Sequence, residues 1–226
     1  GASMASEVDI CNLALAYLGD EATVAGINPP EGSVQAEYCA RFYPFARDSL
    51  LELHTWGFAT KCAQLAAMGI SRPEWRFAYA QPADAIKIVA VLPHDAANIE
   101  AGIDNAQPFS CEIDNTGADI ILTNQVNAVA RYISLVKDTT KFSPLFVQAL
   151  AWHLASMLAG PLLKGDVGAA ESKRCVGAMQ AYLSQAMVSD ANQRKTKPAH
   201  MPEWMRARGA GFVDGNIPGL PNGWRG

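Results

Sequence analysis

Histidines, cysteines and paired carboxylates are the side chains that could carry chemistry in this chain, and they do not converge at any recognisable spacing. His54, His94, His153 and His200 are far apart. His153 follows Trp152 in an apolar segment, where a hydrogen-bonded core histidine is the simpler reading. His54 falls near the end of a helical pattern, where a histidine is favourable to the helix dipole. Asp48 and Glu52 share a helical face and could be drawn as an acid/base pair, but such neighbours are more commonly a solvated face. Five cysteines, Cys11, Cys39, Cys62, Cys111 and Cys175, have neither disulfide-framework nor zinc-ligand spacing, and read as reduced core thiols. Thiol catalysis would need a Cys and a His that meet in space, and nothing in the sequence recommends a pair. There is no Gly-rich phosphate loop, GxSxG elbow, HExxH, CxxC or EF-hand pattern. Arg72, Arg76, Arg206, Arg208 and Arg225 could touch phosphates, yet none lies in a dense basic run. The expectation is a non-enzyme without catalytic residues, cofactor or metal.

The elements that would position these groups are legible from periodicity. Ser6 and Asp9 form a capping-box pattern, followed by Val8, Cys11, Leu15 and Leu18 at helical spacing and by Gly19 as a stop. A Pro/Gly loop (Gly26, Pro29, Pro30, Gly32) leads to Ser33, which caps a second helix. Cys39, Tyr43, Ala46, Leu50 and Leu53 line its core stripe, and Tyr38, Phe42 and Phe45 are expected to widen it. Segments 75–79, 85–92, 109–113, 120–123 and 129–136 are short and rich in β-branched or aromatic residues, predicting one small antiparallel sheet. Gly117 supplies a positive φ in a hairpin loop. Ser143 and Pro144 start a third, nearly apolar helix from Phe146 to about Leu158, which Gly160 and Pro161 end or kink. A fourth helix, roughly 167–188, carries Cys175, Met179, Tyr182 and Ala186 on one face.

The predicted class is α+β, mainly α: an antiparallel helical bundle from the N- and C-terminal halves with an inserted small antiparallel β-sheet domain. Its divisions are 1–5, a cloning scar and flexible start; 6–58, helical half one; and 59–141, the β-rich insertion. Helical half two, 142–190, and an extended Pro/Gly-rich arm, 191–226, follow. Half of the 226 residues are hydrophobic, enough for a sizeable core. With 18 basic and 22 acidic side chains the net charge is −4, which argues against a surface that grips nucleic acid. No apolar run is expected to approach the ~20 residues of a membrane span. The arm reads either as a disordered tail or as a peptide that docks aromatic anchors on a neighbour. Trp204, Phe212, Leu220 and Trp224 favour the second reading and are the candidate partner-binding residues.

The order and spacing of several stretches resemble tail tubular protein A-like head-to-tail adaptors of short-tailed bacteriophages. The first stretch is 9–19. A Pro/Gly loop follows, then a helix from about Ala36 through Tyr43, Arg47 and Asp48, closing in His54, Trp56 and Phe58. Further stretches are 75–79, Gln81 to Asp84 with the apolar strand after it, and Arg131 to Ile133. Lys137 and Asp138, Phe142 to Phe146, and 149–155 complete the pattern, so that it spans roughly 6–190. The long arm departs from shorter members of that family.

The resemblance implies a virion structural protein at the head–tail junction, made in the bacterial host cytoplasm. It implies a ring of twelve copies beneath the portal protein, extending the channel through which genomic DNA passes transiently during ejection. The ring would present a platform for the tail nozzle protein, with no membrane partner. A mildly acidic lumen would let DNA slide where a basic one would hold it. The rival expectations are a tail-associated envelope-degrading hydrolase, which needs converging carboxylates or a Cys/His pair, and a non-virion assembly chaperone.

Overall fold

Three serines start three of the helices by satisfying N–H groups that the first turn leaves free. Ser6 caps α1 (Glu7–Tyr17): its Oγ accepts from the Asp9 N–H at 3.1 Å, while the Asp9 carboxylate accepts from the Ser6 N–H at 2.8 Å. The Ser6 N–H and then the Ser6 hydroxyl, which donates to the same carboxylate at 2.8 Å, lower the Asp9 carboxyl pKa from its ordinary value. Beyond α1, Gly19 takes φ +74°, a conformation that suits glycine. Ser33 caps α2 (Val34–Leu53) through the Ala36 N–H, and Ser143 caps α3 (Pro144–Leu163) through the Phe146 N–H. Lys164 and Gly165, both at φ +59°, turn the chain into α4 (Gly165–Asn192).

The computed structural model describes residues 5–94 and 105–194. Among them the chain is a mixed α+β fold, roughly half helical, with four α-helices and two small antiparallel sheets. One sheet joins β1 (Thr60–Gln64), β7 (Val129–Ser134) and β4 (Ala85–Leu92) in the order β1-β7-β4. The other joins β2 (Ala67–Met68), β3 (Phe77–Ala80), β6 (Asp119–Thr123) and β5 (Phe109–Ile113) in the order β2-β3-β6-β5. The single sheet expected from the sequence is therefore corrected to two. The reason is side-chain alternation along buried strands. On β6, Ile121 faces a cluster with Tyr79, Val91, Ala130 and Tyr132, whereas Ile120 and Leu122 face a second cluster with Ala78. On β7, Ala130 and Tyr132 face the first of these clusters while Ile133 joins the helical core.

That helical core is built around α3, which packs against α1, α2 and α4. Phe146, Leu150, Leu154 and Leu158 are fully buried, as are Ile10, Leu15, Tyr43 and Leu50 of the helices around it. Trp56, just past α2, lies edge-on to Phe146 at 5.0 Å between ring centroids, and its Nε1 donates to the Leu50 carbonyl at 2.8 Å. Tyr17 of α1 stacks on Trp152 of α3 at 3.9 Å, and the Arg174 guanidinium of α4 sits 5.4 Å from the same indole.

Two expectations about α3 change. It runs through Pro161 to Leu163 instead of stopping near Leu158, because the proline falls in the last turn and costs only the bond to the Met157 carbonyl. Its 20 residues hold no charged side chain, so by length and composition it could cross a membrane, contrary to the estimate of apolar runs above. In this fold those residues are spent on a core. Gly168 of α4 lies where a Cβ would come 3.0 Å from the Ala159 carbonyl, which sets how closely α3 and α4 approach. The cysteines divide: Cys11, Cys39 and Cys175 are buried as expected, but Cys62 and Cys111 are exposed.

Candidate functional site

Several of the groups suited to chemistry are held by structural partners. Ser49 on α2 and His153 on α3 come within 3.0 Å, Oγ to Nε2, a pairing that could be taken for a nucleophile and its base. The Ser49 hydroxyl, however, donates to the Ala46 carbonyl at 3.0 Å. With that proton on the Ala46 carbonyl, the Nε2–H tautomer of His153 donates to Ser49 Oγ, the reverse of the direction that activates a serine; the other tautomer would accept from the hydroxyl. Burial holds the imidazole below its usual pKa, and Nδ1 has no hydrogen-bond partner. Asp48 accepts from Arg47 Nε at 2.8 Å. Arg72 reaches the Glu112 carboxylate at 3.5 Å and the Ile113 carbonyl at 3.3 Å. Among the described residues no group of three or more His, Cys, Asp or Glu side chains is placed to hold a metal ion.

One polar cluster does bring distant parts of the chain together. Asp190, near the end of α4, accepts from His54 Nε2 at 2.9 Å, from the Gly57 N–H at 2.9 Å and from Arg194 at 3.0 Å. Arg194 also donates to the Thr55 carbonyl. His54 thus serves as more than a charge at a helix end, since it clasps the end of α4 to the turn between α2 and β1. A cleft of about 540 Å³ opens beside this clasp, lined by Thr55, Gly57, Thr60, Val89, Arg131 and Arg194.

The remaining feature is a row of apolar side chains facing outward on α2. Val34 is 60% exposed, Phe45 67% and Leu53 56%. Between Val34 and Phe45, Tyr38 and Phe42 stack at 6.0 Å, half-buried and packed against the helical core, and the Arg41 guanidinium lies 5.6 Å from the Tyr38 ring. This corrects the expectation that Phe45 widens the core stripe. At about 100° per residue, Phe45 lies roughly 120° around the helix from the Cys39–Ala46–Leu50 line, beyond the reach of α3. The angular offset was available in the sequence as the signal. Leu53, counted in the core stripe, is exposed because it is the last helical residue.

Of the sequence-predicted site residues, Trp204, Phe212, Leu220 and Trp224 lie outside the described residues, as do Arg206, Arg208, Arg225 and His200. The clasp at Asp190 was missed because its partners are more than 130 residues apart and no local pattern links them. No family model matches this chain, and no curated protein does.

Proposed function

We propose that this chain is a virion structural protein, a head-to-tail adaptor that forms a ring beneath a portal and works by assembly, without catalysis. The observation that carries the reading is the outer side of α2, where Val34 and Phe45 stand exposed with half-buried Tyr38 between them, on a helix whose other side is committed to the core. Apolar surface gathered on one rigid element is what a subunit interface requires. The order of residues that resembles short-tailed phage adaptors supplies the identity of the assembly: a portal above, a tail nozzle below, and genomic DNA passing through the lumen. In this reading segments 6–58 and 142–190 form an antiparallel bundle, 59–141 is the inserted β domain, and 191–226 is a docking arm. The ring has twelve copies, which is the number the resemblance implies.

The use of Ser49, His153, His54 and Asp190 in structural hydrogen bonds supports the non-catalytic part of this reading. Mass photometry of the purified chain, alone and mixed with the cognate portal ring, tests the proposal. A ring-sized species, or a portal mass raised by many copies of the chain, is the expected result. Monomers in both samples would overturn it.

A further inference from the structure

Three of the seven large apolar side chains that stand more than half exposed among the described residues belong to α2: Val34, Phe45 and Leu53. With Tyr38 and Arg41, Val34 and Phe45 fall within a sector of roughly 60°, so they form one row. Glu37 beside the row and Glu52 beyond its carboxy-terminal end, both exposed, lie about 22 Å apart along the helix, with Arg41 the one exposed basic side chain of α2 between them. The net charge of the surrounding segment is acidic. Segment 6–58 carries eight acidic and two basic side chains, a net −6.

The end of the chain has the complementary composition. Segment 195–226 holds Lys195, Lys197, Arg206, Arg208 and Arg225 against Glu203 and Asp214, a net +3. Its Trp204, next to Glu203, stands between Lys197 and Arg206, in a segment that is basic on balance. The row on α2 is an apolar surface with Glu37 and Glu52 near it and Arg41 within it, in a segment that is acidic on balance. Pro198, Pro202, Pro218 and Pro221 restrict the backbone of this segment and so lower the entropy cost of docking.

We infer that the outer face of α2 is the docking surface for the 195–226 segment of a neighbouring copy, with Trp204 seated on the Tyr38–Phe45 row and basic side chains of the segment paired with Glu37 and Glu52. This rests on the assembly reading above and names the contact through which it works. The aromatic centre supplies most of the affinity, and the rim charges supply orientation and association rate. Docking is accordingly sensitive to salt, because the exposed pairs are screened.

The test uses the full-length chain. Nitrogen-15-labelled and unlabelled copies are mixed, treated with a carbodiimide that joins carboxylates directly to lysine amines, and digested for mass spectrometry. The expected products link Lys195 or Lys197 to Glu37 or Glu52 and combine one labelled with one unlabelled peptide. Absence of these links, or links confined to peptides of like label, would overturn the inference. Phe45→Glu should lower their yield at least tenfold while the circular dichroism spectrum and melting curve stay as in wild type. Unchanged links in that variant would equally overturn it. The assembly reading is decided separately: rings that form with wild-type yield from Phe45→Glu chains would remove this docking surface and leave the ring standing. Cross-copy links in wild type without any ring would do the reverse.

Discussion

Two stretches of this chain carry apolar side chains at helical spacing, and the fold treats them in opposite ways. α3 is apolar all round and is covered on its several sides by α1, α2 and α4. The outer row of α2 is apolar on a narrower sector and has no described cover. Both include aromatic residues, but α3 holds no charged side chain and α2 holds five. Angular width follows from this: a helix wholly without charge must be surrounded, whereas a narrow apolar strip beyond the core stripe is available to another chain. Substitutions in the two regions should therefore act on different quantities, stability in one and association in the other.

The largest effect is expected in α3. Phe146→Ala removes a fully buried ring that meets Trp56, Phe58 and Phe142. It should cost about 3–5 kcal/mol in urea unfolding, and a loss below 1 kcal/mol would mean that α3 is not the centre of the core. Gly168→Ala should come next. The added methyl meets the Ala159 carbonyl at 3.0 Å, and helix propensity returns part of the penalty. A net loss of up to about 2 kcal/mol is expected, and a gain would show that α3 and α4 can separate at no cost.

His153 gives a pH-dependent and smaller effect. Burial lowers its pKa below the usual 6.5, so the unfolded chain takes up the proton first as the pH falls. Its neutral form is compatible with full stability above about 6.5, and stability declines below that value until the folded form also protonates. The Tm difference between wild type and His153→Gln should shift in favour of the variant from pH 7.5 to 5.5, and parallel pH profiles would refute the assignment. Phe45→Ser should have the smallest effect on the monomer, within about 0.5 kcal/mol. A larger loss would return Phe45 to the core and erase the contrast between the two regions.

Local chemistry made much of the fold legible. The caps at Ser6, Ser33 and Ser143 depend on residues three positions away, and the hairpin at Gly117 on a few neighbours, so each was readable in place. The two-sheet arrangement was not. β1 pairs with β7 across some seventy residues of chain, and β4 carries register shifts at Ala85/Lys87 and Ile88/Ala90 that break simple alternation. β1 and β2 were passed over because their sequences, Thr60–Gln64 and Ala67–Met68, have little β-branched content. For the candidate site, Tyr38 and Phe42 do widen the core stripe of α2 as the sequence suggests, and only Phe45 falls beyond it, since the far edge of a broad stripe is not fixed until the neighbours are known.

The clasp at the end of α4 has a mechanical consequence. A pull on the chain at Lys195 meets Arg194 and Asp190 first, and through them the Thr55 carbonyl, the Gly57 N–H and His54. Tension on the carboxy-terminal segment is thus handed to the joint between α2 and β1 before it can peel α4 from α3. Several hydrogen bonds loaded together at a helix end resist such a force in parallel, whereas turns of α4 peeled from its neighbour would yield one after another. In the proposed ring, a subunit held by its last residues while DNA passes would carry that load at the joint between α2 and β1.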